Sequence, residues 1–221
     1  MKVTRQQVAK NRQRILEVAG KLFREKGFDG VSVADIMKSA GLTHGGFYGH
    51  FASKDELAAH ACAGAVAEIV EGWTALAGDK SHDQLGAYIT SYLSPSHRDD
   101  LGGGCVLAAL GADAVRQPGA VRRAFTDGIR STVAMLSMIA PGASNAAHRE
   151  KALATLAGLV GALTLARATD DRSLSDEILN AALATLGGKS GGTDSPIQTR
   201  LRGANHKKIK GRQKAIPASR N

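Results

Sequence analysis

Aromatic residues are scarce in this 221-residue chain, with five Phe, three Tyr and one Trp. Strands draw on aromatic and β-branched side chains, so the shortage argues against an all-β sandwich. Cysteine is scarcer still. Cys62 and Cys105 are the only two and form no CxxC pair. No Cys/His cluster has zinc-ligand spacing either, so no structural metal or cofactor is expected. The start of the chain lacks the apolar core of a secretory signal. The longest uncharged helical run, residues 152–166, falls short of the ~18 residues that span a bilayer. No apolar/polar alternation and no repeat are present. These absences lead to the expectation of a cytoplasmic protein with no membrane partner.

Alanine is what the chain has in abundance, 37 residues, and alanine is the best helix former. Hydrophobic residues make up 43%, enough to bury a core, which excludes wholesale disorder. The net charge of +9 is unevenly placed: residues 1–60 carry +4, residues 61–188 carry −3 and residues 189–221 carry +8. The last segment starts at a Gly187-Gly188-Lys189-Ser190-Gly191-Gly192 run and has few large apolar residues, so it reads as a disordered basic tail. A pI near 9.8 suggests a polyanionic partner where the charge is clustered.

Ile15, Val18, Ala19, Leu22 and Phe23 recur at i, i+3, i+4, i+7 and i+8, one apolar face of a helix. Gly27 ends it, with Phe28 folding back. Ser32 caps a second helix with Asp35 three residues on, and Gly41 stops it. Thr43 opens a very short segment, His44-Gly45-Gly46-Phe47-Tyr48-Gly49-His50, closed by Phe51. Ser53-Lys54-Asp55-Glu56 has capping-box spacing and starts a fourth helix, expected to reach about Ala77. Further helices are expected near 82–93, 103–117, 119–140, 144–168 and 175–186, with breaks at Pro95, Pro118-Gly119, Pro141-Gly142 and Asp170-Asp171. The fold class is all-α, with about nine helices.

Two short helices joined at Gly41-Leu42-Thr43 and packed on an amphipathic first helix make a helix-turn-helix, whose second helix enters the DNA major groove. Phe47 and Phe51 supply the apolar underside. Thr43, His44, Tyr48 and His50 supply the outer face. Each of Gly45, Gly46 and Gly49 costs a helix ~1 kcal/mol relative to Ala. The segment is therefore either a loop or a helix whose missing side chains let its backbone approach DNA; the flanking caps favour the second.

The run from Ser32-Val33-Ala34-Asp35-Ile36 through Gly41-Leu42-Thr43 to Tyr48-Gly49-His50-Phe51-Ala52-Ser53-Lys54-Asp55-Glu56-Leu57 resembles the DNA-binding domain of TetR/AcrR-family transcriptional regulators, over roughly residues 10–60. The resemblance implies an N-terminal three-helix helix-turn-helix domain (1–60), a larger helical effector-binding and dimerisation domain (61–188) and the extra tail (189–221). It implies a non-enzymatic repressor in bacteria. Such a protein binds palindromic double-stranded DNA as a homodimer and is released by a small-molecule or electrophile/oxidant effector. Thr43, His44 and Gly45 would meet DNA at the start of the recognition helix, and Tyr48, His50 and Lys54 would meet phosphates. Ser32, Gly46 and Arg5 complete the candidate DNA-contacting set. Gly46 stands where many members have a hydroxyl residue, and Gly49 where an aromatic is common. The less favoured readings of the same residues are a half-buried core residue for Tyr48, an internal cap for His50 and a solvated charge for Lys54. Lys2, Arg5, Lys10, Arg12 and Arg14 are either a DNA-contacting arm or a basic helix start.

In the middle region two apolar stripes run through Leu153–Thr164 and Ile178–Leu186. Small residues among them, Gly158, Gly161, Ala162 and Ala166, allow close helix approach. The resemblance implies that these last two helices pair with a second copy; either stripe alone also fits plain intrachain core. Gly102-Gly103-Gly104-Cys105-Val106-Leu107 resembles a Gly-Cys helix start found in one branch of the family, in which a Cys there reacts with electrophiles or oxidants. A helix N-terminus favours the thiolate; a small buried hydrophobe is the plainer reading. Cys62 reads as packing. Trp73, Tyr88, Tyr92, His97 and Met135 are candidates for the effector-pocket wall. With so few aromatics, that wall is expected to be mostly Leu, Ala, Val and Met. His82, His97 and His148 sit at no metal or triad spacing, which disfavours an enzyme. A nucleic-acid-binding protein driven by its tail, indifferent to sequence, is the alternative.

Overall fold

The computed structural model describes residues 4–75, 83–140 and 144–187. Lys2, Ala77, His82, the Pro141-Gly142 break and the tail from 189 lie outside the described residues. Among those described there are nine α-helices, one 3₁₀ segment and no strand. Helix α1 is Arg5–Lys26, α2 Val33–Ser39, the 3₁₀ segment His44–Gly49, and α3 Lys54–Thr74. There follow α4 Gln84–Tyr92, α5 Pro95–Asp99, α6 Val106–Ala114, α7 Gly119–Ile139, α8 Asn145–Ala168 and α9 Arg172–Leu186.

The local signals act where they were read. Gly27 and Gly41 both have φ in the left-handed region, 75° and 68°, which a glycine enters without steric cost. The Ser32 hydroxyl accepts from the Asp35 N–H while the Asp35 carboxylate accepts from the Ser32 N–H, a complete capping box. The Ser53 hydroxyl accepts from the Glu56 N–H at 3.0 Å, and Glu56 accepts from the Ala52 N–H at 2.7 Å.

Four expectations shift. The recognition segment closes 3₁₀ rather than α-helical hydrogen bonds, as three glycines in six residues allow. Arg5, Lys10, Arg12 and Arg14 belong to α1, so they form a helix face and not a free arm. The break at Pro95 holds, with α4 ending at Tyr92, but Pro95 also begins a further short helix; the first helical position needs no N–H. Helix α6 starts at Val106 after a Gly102–Gly104 turn, with Cys105 at its N-cap.

Helix α3 runs across residue 60 and packs on both α1 and α7, and α8 packs on α7 and α9. One continuous core results. Ile15, Phe23, Ile36, Phe47, Phe51 and Leu57 are fully buried in it beneath the first helices, and Leu110, Leu136, Leu159 and Leu163 among the later ones. By length and composition α8 could cross a membrane; its apolar face, Leu156, Leu159 and Leu163, is instead buried in the fold. At the far end Arg98 is buried and ion-paired with Asp99 and Asp176. Arg98 donates to the Ser175 hydroxyl at 3.0 Å, which itself donates to the Ala166 carbonyl at 2.6 Å. Arg167 donates to the carbonyls of His97 (2.8 Å) and Arg98 (3.0 Å). These bonds fasten α5 to α8 and α9 and hold the chain before Cys105 in place.

Candidate nucleic-acid interface and effector cavity

The turn between α2 and the 3₁₀ segment puts one side chain set inward and another outward. Phe47 and Phe51 stack with ring centroids 5.9 Å apart and are buried. Thr43, His44, Gly45, Gly46, Tyr48 and Gly49 are exposed together. Tyr48 is 69% exposed and meets the Phe47 ring edge-on at 5.2 Å, which removes the core reading for it. A Cβ built at Gly45 or Gly49 would meet nothing within 4 Å. Neither has the positive φ found at Gly27 and Gly41. The fold itself therefore requires glycine at neither position.

Lys54 is the first residue of α3, half-buried and without an ion pair among the described residues. Ser32 is exposed but committed to its capping box, and Arg5 is exposed at the start of α1. His50 closes the segment through its N–H to the Phe47 carbonyl at 2.8 Å. Its Nδ1 is buried without a partner among the described residues, so the ring is not an internal cap through that atom. A clamp was not foreseen: Arg12 of α1 lies over the Phe51 ring at 4.0 Å. It also donates to the His50 carbonyl and pairs with Glu56 at 3.9 Å. One basic side chain thus ties α1 to the end of the recognition segment and the start of α3. Its spacing of 38 positions from His50 left no local signal.

The second site is a cavity of about 240 Å³ between α3, α4, α5, α6, α7 and α8. It brings together Trp73, Tyr92 and Cys105, with Tyr88 and His97 beside them; Met135 is buried elsewhere. The expectation of an aliphatic wall is corrected: aromatic rings form one side. Trp73 meets Tyr88 edge-on at 4.9 Å, Tyr88 and Tyr92 lie 5.9 Å apart, and Tyr92 meets His97 at 4.8 Å. His97 Nδ1 donates to the Tyr92 carbonyl at 2.6 Å, and its Nε2 accepts from the Cys105 N–H at 3.1 Å. That pairing needs the neutral imidazole, and burial lowers the His97 pKa in the same sense. Burial also raises the Tyr92 pKa well above its usual value, with the Cys105 thiol beside it adding to the shift. Cys105 is buried, 6% exposed. Cys62 is buried outside this cavity, and desolvation pushes its thiol up to about 12, as its reading as packing requires. Among the described residues no cluster could hold a metal ion.

Compared with known proteins, residues 15–61 match the model of bacterial regulatory proteins of the tetR family. Residues 81–182 match the tetracyclin repressor-like C-terminal domain. The HTH-type transcriptional regulator AcrR of Shigella flexneri is 43% identical over 54 residues, 24% of this chain and 25% of AcrR. The HTH-type transcriptional repressor KstR2 of Mycobacterium tuberculosis is 43% identical over 51 residues, 23% of this chain and 26% of its own. The alignment thus spans about a quarter of either relative. The reduced form of Escherichia coli NemR has the same fold, with a TM-score of 0.70 at 22% identity over 84% of this chain and all of NemR. A TetR-family regulator from Agrobacterium tumefaciens superposes with a TM-score of 0.67 at 24% identity, over 80% of this chain and 98% of its own.

Proposed function

The chain belongs to the TetR family of bacterial regulatory proteins, DNA-binding transcriptional regulators rather than enzymes, and from that premise we propose that it is a repressor released from a palindromic operator by a small effector. The exposed row from Thr43 to Gly49 over buried Phe47 and Phe51 carries this reading. It is a polar, small-residue surface on a rigid apolar base, with its start at the N-terminal end that helix-turn-helix proteins aim at base edges. Thr43, His44 and the bare backbone at Gly45 and Gly46 read the groove. Tyr48, His50 and Lys54 hold phosphates, and Arg5 adds charge from α1. Ser32 presents the start of α2 to a phosphate.

The region 61–188 serves as the effector-binding and dimerisation domain. On α8 the outer face carries exposed Leu153, Ala157 and Leu165 and half-buried Gly161, and a Cβ at Gly161 would meet nothing within 4 Å. That open, small-residue face beside α9 suits a second copy packed at close range. A homodimer then presents two recognition segments to the two halves of an inverted repeat. The cavity holding Trp73, Tyr92 and Cys105 receives the effector, small molecule or electrophile. The protein works in the cytoplasm, on the nucleoid.

Sequencing of source-genome fragments retained by the protein tests the proposal. A shared inverted repeat is expected, and its absence would sink the reading. The +8 charge of residues 189–221 favours one alternative, binding driven by the tail and indifferent to sequence. That binding would fall steeply with salt and disappear on deletion of the tail, whereas operator recognition would survive the deletion.

A further inference from the structure

The lining of the cavity narrows what it accepts. An apolar cavity of about 150 Å³ takes a benzene-sized molecule. At about 240 Å³ there is room for one ring with a short substituent. Trp73, Tyr88 and Tyr92 offer ring faces and edges on one side, and Val106, Leu107 and Leu156 offer apolar surface on another. Aromatic edges and faces favour another ring over an alkyl chain of the same size.

One fully buried polar atom in this wall is unspent. Tyr92 is 93% buried, being 7% exposed, and its hydroxyl has no hydrogen-bond partner of normal geometry among the described residues. The Cys105 thiol beside it is only a weak acceptor. A buried donor left unpaired costs stability, so a guest that accepts from it gains what the empty protein forgoes. Of the other polar lining groups, His97 is engaged through both ring nitrogens, Thr132 through the Gly128 carbonyl at 2.9 Å and Ser94 through the Ser91 carbonyl at 2.9 Å.

The lining offers no unpaired charge. Asp100 is the only charged side chain among the described lining residues, and Arg24 and Arg167 both interact with it, so neither a cation nor an anion meets a free counter-charge there.

We propose that this cavity binds a neutral, single-ring aromatic compound bearing one hydrogen-bond-accepting oxygen, which takes the hydrogen of the Tyr92 hydroxyl. The assignment rests on the reading of 61–188 as the effector domain. Four probes of similar size separate its parts: acetophenone, ethylbenzene (same shape, no acceptor), benzoate and benzylammonium. Binding to the full-length protein without DNA is measured by calorimetry and by fluorescence of Trp73, the only tryptophan in the chain.

Acetophenone is expected to bind most tightly. Ethylbenzene should bind roughly three- to tenfold more weakly, the worth of one neutral hydrogen bond. Tyr92→Phe should weaken acetophenone by the same factor and spare ethylbenzene, whose unchanged binding shows that the variant is folded. Tighter binding of either ion, or a Tyr92→Phe variant that keeps its preference for acetophenone over ethylbenzene, overturns the assignment. Operator release is measured separately. Acetophenone bound without release keeps the ligand assignment and overturns the effector reading. No acetophenone bound, with operator recognition intact, overturns the ligand assignment and leaves the regulator reading standing.

Discussion

The Arg24 guanidinium, in the last turn of α1, donates a 2.6 Å hydrogen bond to the carbonyl of Gly102, 78 positions along the chain. Gly102 opens the turn that ends at Cys105 and the cavity. Burial lowers the Arg24 pKa, so this cation is partly desolvated and its bond is worth more than a surface contact. One bond therefore joins α1, which Arg12 ties to the end of the recognition segment, to the rim of the cavity. The same face of α1 approaches α6: a Cβ at Gly27 would lie 3.2 Å from the Asp113 carboxylate.

Arg24→Met is expected to lower stability by about 1–3 kcal/mol through the lost charged hydrogen bond. It should leave operator affinity within about threefold and shrink the change in affinity that effector produces, because coupling needs a contact whose energy differs between two states. Operator titrations with and without effector, on wild type and variant, give the coupling directly. An unchanged ratio would mean that the signal travels elsewhere, along α3 for example.

Gly45→Ala and Gly49→Ala separate folding from recognition. Open space around both Cβ positions and ordinary φ mean that the fold accepts a methyl. Stability should hold or rise by up to ~1 kcal/mol, the backbone entropy that glycine gives up. Operator affinity should nevertheless fall at least tenfold, since the added methyl stands where the backbone is to approach the base edges. Thermal melts beside operator titrations show the split. Two variants that bind operator as well as wild type would remove the close-approach reading.

Cys105→Ser tests the electrophile branch of the proposal. Cys105 lies in the cavity wall far from the recognition segment, so operator affinity should remain at the wild-type level. A thiol-reactive compound should release the wild type and leave the variant on DNA. Because Cys105 is 6% exposed, only an electrophile small enough to enter the cavity should act. Gel-shift assays with a small and a bulky maleimide distinguish entry from surface reaction. Equal release of wild type and variant by the small reagent would dismiss Cys105 as a sensor.

Signals that act over a few residues were legible in the sequence; signals that act across the fold were not. The Ser32–Asp35 box, the Gly41 turn and the Phe47–Phe51 pair are local, and each sits where its spacing places it. The 3₁₀ geometry of His44–Gly49 was not legible, because six residues are too few for a period to separate one helix type from another. Trp73, Tyr88, Tyr92 and His97, candidates for the cavity wall, do line it, but the expected mostly aliphatic make-up was misjudged for a different reason. Composition averages over the chain, whereas Trp73, Tyr88 and Tyr92 come from α3 and α4 and converge only on packing. The contacts of Arg12, Arg24 and Arg167 carried no sequence signal for the same reason. Their partners, at His50, Gly102 and His97, are carbonyls that no sequence pattern marks.

The clearest pH dependence is expected at His97. Its Nε2 accepts from the Cys105 N–H, which a second ring proton would prevent. Burial lowers its pKa from the usual value of 6.5; Arg167 lowers it further, while the Tyr92 carbonyl and Asp100 act in the opposite sense. With the folded pKa below the unfolded one, stability from this group is complete above about pH 6.5 and is lost as pH falls toward the folded pKa. The limiting slope for one proton is about 1.4 kcal/mol per pH unit. Urea unfolding near pH 7.5 and near pH 5.5 should show this loss in wild type and a smaller one in His97→Gln, whose amide can donate and accept at both pH values. Subtracting the two removes the other histidines, which both proteins share. Equal pH dependence in the two proteins would mean that protonation of His97 is not coupled to folding.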